Sequence, residues 1–345
     1  MRRLRLASAV AATLLLSVTA CSGGGSKTSQ AVEGDWGDVV AAAEKEGSVL
    51  LYSSQNPVNL AALKTAFHKK YPKITMTFVR GTDAELNPKV EVEQRTGKGI
   101  GDVHMLTDAS WIKTAASSGK FSAELRGPDF DESGYNRSKT VMDDRMFLSS
   151  AAVFSLGWNT QQVPGGLKDP RDLLKPEFKG KIGITNPQGI AAYVDFYRFM
   201  QKNYGDDYLT KLAALQPRVY PSALTIAQAL TSGEIAATPV VQPLVAEVKA
   251  GAPVKWALPE KPWGTPWYSH VLSSAAHPNA AQVLADFIVT PEGQAALNVG
   301  YASAIPGVDG AVANAQDIPL PNPDDLTPAK NQAFQSEWES LFLRK

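Results

Sequence analysis

The chain has 345 residues, 44% of them hydrophobic, with 34 basic and 34 acidic side chains and one cysteine. That balance leaves no basic footprint for a nucleic-acid partner. A single cysteine excludes a disulfide framework and a thiolate metal site, and the length predicts about two domains rather than one small core.

Arg2, Arg3 and Arg5 open the chain, an apolar run includes Leu14 to Leu16, and Thr19 and Ala20 precede Cys21. The order is a basic region, an apolar region and a small-residue cleavage site. Ser8, Thr13 and Ser17 break the apolar run, which falls short of the roughly 18 residues a membrane span needs. A cysteine just after the cleavage site resembles the lipobox of bacterial lipoproteins. The resemblance implies a signal peptide over residues 1–20 and a diacylglycerol thioether on the Cys21 sulfur, usually with an acylated new amino terminus. Two or three acyl chains hold a protein on a membrane far better than one. The other reading of Cys21 is a free thiol in a plain secretory signal. Beyond it, residues 22–34 have little to bury, so 21–34 reads as a lipidated flexible stalk. Cleavage removes three arginines and no acid, leaving three more acidic than basic side chains.

Asp35 can cap a helix through Ala43 that Gly47 stops. Strands follow at Ser48 to Tyr52, Ile74 to Val79 and Val103 to Leu106. Between them lie a helix with Leu60, Leu63, Phe67 and Tyr71 on one face and a second from Asp83 to Thr96, interrupted by Pro88. Another helix runs to Gly119. A strand at Ala151 to Trp158 leads into a Pro/Gly-rich connection. A second alternation starts at Lys181: strand to Thr185, helices from Gly189 and Asp206, and a strand at Arg218 to Tyr220. Then come a helix at Ser222 to Ser232, a strand at Ile235 to Val240, a helix at Gln242 to Ala250 and a strand at Val254 to Leu258. A strand near Val271 to Ser273 precedes helices at Ala280 to Ile288 and Pro291 to Val299. A Pro-rich stretch and a last helix, Pro328 to Phe342, end the chain. Strand–helix alternation predicts α/β lobes with parallel sheets. Two strand-like crossings, near Trp158 and Trp256, predict a hinged clamshell with lobe one over 35–157 and 259–345 and lobe two over 158–258.

The chain also resembles the extracellular solute-binding proteins of ABC importers, in the group of ferric-iron, thiamine, phosphonate and polyamine binders. The resemblance is carried by VVAAAEKEGSVLLYSS (39–54), LAALKTAFHKKYP (60–72), FVRGT (78–82) and GDVHMLTDAS (101–110). It continues in LGWNTQQVP (156–164), PRDLLKPEFKGKIGITNP (170–187), LTSGEI (230–235) and HPNAAQVLADFIVTPEGQAAL (277–297). It implies a periplasmic-binding-protein type II fold with the two lobes joined by a two-strand hinge. A solute is trapped between closing lobes and delivered to a membrane permease. A monomer with no cofactor and no enzymatic activity is expected.

In parallel sheets ligands bind beyond the carboxyl ends of the strands. Lobe one offers Ser53, Ser54 and Gln55, then Arg80, Gly81 and Thr82, then Thr107 and Asp108. The crossing offers Trp158 and Asn159. Lobe two offers Asn186, Gln188 and Gly189, then Tyr220 and Ser222, then Thr238 and Pro239. Several precede helices, whose free N–H groups favour an anion, and Arg80 can grip a carboxylate or phosphate with two N–H donors. These features point to a small anionic or phosphorylated organic solute. Each has a second reading: Ser53, Ser54, Asp108, Asn186 and Ser222 as helix caps, Arg80 as a solvated charge, Trp158 and Tyr220 as packing residues.

Ferric iron is the alternative ligand. Iron binders of the resembled group use paired tyrosines, often with a histidine. Here Gln55 stands where the histidine is expected, and Ala236 to Val241 contains no tyrosine pair. No metal is expected. An exported hydrolase is the rival class, but His68, His104, His270 and His277 show no zinc-binding spacing and there is no G-x-S-x-G elbow. An adhesin lipoprotein without a small ligand is a third class, and polar strand ends in both lobes speak against it. The anchor is tested by Cys21→Ser, which is expected to shift the protein from the membrane to the soluble fraction on cell fractionation; retention on membranes removes the lipid reading.

Overall fold

The computed structural model describes residues 30–132 and 134–343. Cys21, the signal segment and the stalk up to residue 29 lie outside them. The chain opens with α1 (Trp36–Glu46), β1 (Ser48–Ser53), α2 (Pro57–Lys70), β2 (Thr75–Arg80), α3 (Asp83–Thr96), β3 (Val103–Leu106) and α4 (Ala109–Ser118). Each follows from local sequence. Asp35 accepts from the Asp38 N–H at the start of α1, and Gly47 closes it. Asn56 caps α2 ahead of Pro57. Asp108 caps α4 through Ser110 and Trp111. Pro88 sits inside α3, which runs through it unbroken, contrary to the expected interruption.

Next come α5 (Arg137–Thr140), β4 (Val141–Met142) and the 14-residue β5 (Met146–Asn159). The second half holds β6 (Gly183–Thr185), α6 (Ala191–Tyr204), α7 (Tyr208–Ala214), β7 (Arg218–Tyr220), α8 (Ala223–Ser232), β8 (Ala237–Val241), α9 (Val245–Lys249) and β9 (Val254–Ala257). The chain returns through β10 (Trp263–Val271), α10 (Pro278–Val289), α11 (Pro291–Leu297), β11 (Ala302–Ser303), β12 (Ala313–Asn314) and α12 (Pro328–Phe342).

β2, β1 and β3 run parallel, and β10 and β5 add antiparallel strands in the order β5-β10-β3-β1-β2. The far half of β5 pairs with β8 and β9. β6 pairs in parallel with β7 and bridges in parallel to β8. Two apolar cores result. The first contains Leu51, Phe67, Ile112, Phe147 and Phe287. The second contains Ile184, Tyr197, Leu212 and Ile226.

The cores divide the chain differently from the expected 157/158 and 258/259. Along β5, Val153 belongs to the first core and Phe154 to the second. Along β10, Trp263 lies in the second and Trp267 in the first. The crossings therefore fall inside two paired strands. α12, expected with lobe one, buries Phe334 and Trp338 in the second core. A third crossing thus runs between Ile318 and α12. The stalk also ends earlier than expected. The Val32 N–H donates to Asn279 Oδ1, and the Arg126 guanidinium donates to the carbonyls of Val32 and Gly34.

Lobe one carries a buried polar seam. His104 on β3 meets His270 on β10, ring nitrogens 3.3 Å apart, and the far His270 nitrogen meets Ser122 Oγ at 2.9 Å. His104 Nε2 is buried with no hydrogen-bond partner among the described residues. Burial holds His104 down to about 3 and His270 well below the usual range. The unfolded chain protonates both near 6.5. Their neutral burial therefore contributes full stability above that value, and the contribution is lost as pH falls below it. Asp102, Asp195 and Asp286, raised by burial, act with the opposite sign, so the test is a comparison. Relative to His104→Gln/His270→Gln, urea unfolding of the wild type is expected to lose about 3 kcal/mol between pH 7 and pH 5; a difference independent of pH removes the histidines as the cause.

A second constraint is steric. The Tyr52 hydroxyl donates to buried Glu93, which also accepts from the Ile100 and Gly101 N–H groups. A Cβ on Gly101 would lie 2.4 Å from the Tyr52 ring. Gly101→Ala is expected to destabilise by about 2 kcal/mol in chemical denaturation through overpacking; a neutral result shows that the ring can yield.

Candidate functional site

The two lobes turn the carboxyl ends of their parallel strands toward each other, and the place where they meet is Tyr301. In lobe one, β1, β2 and β3 end on Ser53, Arg80 and Leu106. In lobe two, β8, β6 and β7 are parallel neighbours and end on Val241, Thr185 and Tyr220. Asn56, beyond β1, and Gln242, beyond β8, both lie beside the Tyr301 hydroxyl. Burial pushes this phenol up, while Asn56, Gln242 and the positive field of Arg80 pull it back. Polar groups from both strand edges flank one hydroxyl, which makes this junction the candidate cleft.

Arg80 closes β2, and its side chain is exposed. Its Nε–H donates to the Gln55 carbonyl at 3.1 Å. That bond fixes the Nε edge of the guanidinium and leaves its two terminal nitrogens without a hydrogen-bond partner among the described residues. Among the described residues no carboxylate lies within ion-pair distance of it. Ser54 Oγ accepts from the Trp267 indole at 3.0 Å, and the Trp267 ring stands edge-on to Tyr301 with centroids 5.8 Å apart. Ser54, Arg80, Trp267 and Tyr301 thus form one connected wall.

The other expected residues of lobe one support this wall from behind. Ser53 is buried, and its Oγ accepts from the Gln55 N–H. The Gln55 side chain is buried and donates to Ser150 Oγ at 3.1 Å. Gly81 donates to the Ser53 carbonyl. Thr82 shares a capping box with Glu85. Thr107 gives both its N–H and its hydroxyl to Asp83. Asp108 is occupied as the α4 cap and accepts from Asn87.

In lobe two, Asn186 Oδ1 accepts from the Gln188 N–H, and exposed Gly189 holds a φ of +73° in open space. Gln188 donates to the Gln335 carbonyl of α12, and Gln335 donates back to the Pro187 carbonyl. Ser222 caps α8, and the Tyr193 hydroxyl accepts from the Ala223 N–H. These positions follow the carboxyl ends of β6 and β7, the edge of lobe two on which the candidate cleft would open.

Four expected positions do not reach it. Trp158 pairs with Ala237, the first residue of β8, whereas the carboxyl end of β8 pairs at Ser155. Trp158 and Asn159 therefore lie at the opposite edge of that sheet. Trp158 packs in the second core, and Asn159 bonds Leu230, Gln161 and Gln162. Pro239 is buried inside β8, not at its end. The Tyr220 hydroxyl donates to Glu234, just past the C-terminal cap of α8. Its ring runs back along the strand, and burial with Glu234 beside it pushes its phenol up to about 12.

Asn56, Gln242, Trp267 and Tyr301 were not singled out from the sequence. Asn56 alone carried a local signal, as a polar residue between a strand end and Pro57. The others come from segments that converge only in space.

The hydrolase reading meets one arrangement of interest. Ser48 Oγ lies 3.0 Å from His277 Nε2, and His277 Nδ1 lies 3.0 Å from Asp102 Oδ2. The order matches a serine–histidine–aspartate relay. Acyl transfer also needs free N–H donors for an oxyanion. The adjacent helix start has none to offer: Glu46 accepts from the Asn279 and Ala280 N–H groups. The relay ties β1, β3 and α10 together on the side of lobe one away from the β1 carboxyl end.

No curated protein matches the chain. Among solved structures, iron-bound HitA from Pseudomonas aeruginosa superposes with a TM-score of 0.65 at 21% identity, covering 86% of this chain and 99% of that one. The substrate binding protein of an ABC transporter from Agrobacterium tumefaciens gives 0.66 at 15% identity over 87% and 96%. AfuA from Actinobacillus pleuropneumoniae, with fructose-6-phosphate bound, gives 0.60 at 19% identity over 87% and 100%. At these identities the likeness is one of fold, that of periplasmic binding proteins of type II. The family described as bacterial extracellular solute-binding protein matches residues 49–299, most of both lobes, and the chain belongs to it.

Proposed function

We propose that the chain is a membrane-tethered, non-enzymatic receptor that traps a small anionic organic solute between its lobes and delivers it to an ABC permease. The observation that carries this reading is Arg80. A guanidinium with no carboxylate within ion-pair distance among the described residues, held by one nitrogen to a backbone carbonyl, is poised for a carboxylate or phosphate group. The N-terminal turns of α6 and α8 add partial positive charge on the opposite lobe. Family membership supports the receptor role, and the cysteine at position 21 supports the tether.

Ferric iron finds less support from the donor set. Hard Fe(III) suits several phenolate and carboxylate oxygens. Tyr301 is one phenol raised by burial. Tyr193 is engaged by Ala223 and Tyr220 by Glu234. Among the described residues no three His, Cys, Asp or Glu side chains are grouped to hold a metal.

Arg80→Ala is expected to weaken an anionic ligand by at least tenfold in isothermal titration, the loss of a charge-assisted pair of about 1.5 kcal/mol or more, with little change in melting temperature of the ligand-free protein. An unchanged affinity removes Arg80 from the site and with it the basis for an anion.

A further inference from the structure

The rim of the cleft is apolar on both lobes. Val58 stands at the second position of α2, directly after Asn56 and Pro57, and is 73% exposed. Val299, 52% exposed, has its carbonyl held by Asn59 of the same helix. Across the cleft, Leu224 occupies the second position of α8 and is 68% exposed. Ile190 caps α6 and is 38% exposed. Helix starts are where polar and acidic residues are usually favoured, and single exposed apolar residues are ordinary elsewhere on a surface. Among the described residues, four of the ten exposed large apolar side chains stand at or beside helix starts that follow the carboxyl ends of strands flanking the candidate cleft. Behind them the floor is aromatic, Trp267 against Tyr301. The indole N–H of Trp267 is already given to Ser54, so this largely buried ring has no donor left for a ligand.

We infer that the solute is amphiphilic: one anionic head on Arg80 and an aliphatic or aromatic body held between the apolar rims, as in a medium-chain or aryl-alkyl carboxylate. A polyol phosphate of the same charge would leave the hydroxyls that extend past the Asn56, Gln242 and Tyr301 polar groups facing Val58 and Leu224, which offer them no partner. Lobe closure over an apolar body buries both rims at once, which gives closure a driving force that a hydrophilic ion lacks. The inference rests on the anionic-receptor reading above and narrows it.

The test is isothermal titration of the purified protein, of Leu224→Asn and of Arg80→Ala. The probes are octanoate, 3-phenylpropionate, glycerol 3-phosphate and inorganic phosphate. Leu224 is mostly exposed, so its replacement leaves the fold intact. The two carboxylates are expected to bind more tightly than either phosphate. Each is expected to lose about fivefold in Leu224→Asn, the scale of one or two buried methylenes, and at least tenfold in Arg80→Ala. Tighter binding of a phosphate, with Leu224→Asn neutral and Arg80→Ala weakened, overturns the amphiphile and leaves the anion receptor standing. Carboxylate binding that Arg80→Ala does not weaken overturns the anionic head. Silence toward all four probes overturns both.

Discussion

One antiparallel pair, β5 against β10, belongs to both cores, and the position of every candidate ligand contact follows from it. At a rise near 3.4 Å per residue, the 14 residues of β5 span about 44 Å. Its first half completes the sheet of lobe one, and its second half carries β8 and β9 of lobe two. The pairing with β10 is continuous through the crossing, from Trp263–Phe154 to Pro266–Ala151. A Cβ on Gly264 would stand 2.5 Å from the Ala152 carbonyl, so the two backbones approach there as only glycine permits. A paired ribbon bends and twists more readily than it stretches. The core changes hands between Val153 and Phe154 within this ribbon, which makes that region the candidate hinge of the proposed clamshell. Lobe two is tied down a second way. α12 returns to it, and Arg198 of α6 donates to the carbonyls of Asp325 and Lys330.

The electrostatics of the junction depend on what has been kept away from Arg80. The acids nearby in sequence are committed: Asp83 to Thr107, Glu85 to Thr82, Asp108 to the α4 start. Each local cap satisfies a helix or loop and at the same time removes a competitor for the guanidinium. A carboxylate within reach would form an ion pair worth little at a surface, yet it would have to be displaced before an anionic ligand could bind. Capping and binding are thus not alternative readings of the strand ends. The caps of Thr82 and Asp108 hold the wall in place, and they leave the Arg80 guanidinium without an ion pair among the described residues, as the proposed anion site requires.

The alternation of elements was legible because each rests on local chemistry. The α1 cap at Asp35, the stops at Gly47 and Gly119 and the limits of α12 all lie within a few residues of the groups that set them. Register was not legible. Trp158 and Asn159 were expected at the cleft because they end a strand, but β5 runs from one lobe into the other, and its end lies across lobe two from the site. Tyr220 ends its strand as expected, yet its direction is set by Glu234, 14 residues further on. Trp267 and Tyr301 carry no local signature at all. Both enter the candidate site only through neighbours distant in the chain, Ser54 for Trp267 and Asn56 and Gln242 for Tyr301.

The same contrast explains why the apolar rim is informative. Leu224 at the start of α8 is surplus to the fold: the helix already buries Ala223, Ile226, Ala227, Ala229 and Leu230. Val58 is likewise surplus to α2, which buries Leu60, Leu63 and Phe67. A residue that neither core uses, at a helix start where a polar side chain would be better solvated, costs solubility and returns no packing in the open form. Closure changes that balance, since the rims of the two lobes lie on either side of one junction. With a polar solute between them the rims stay partly wet and the closed form gains little. With an apolar body between them each rim loses water against it, and the free energy of closure then reports on the shape of the solute as well as its charge.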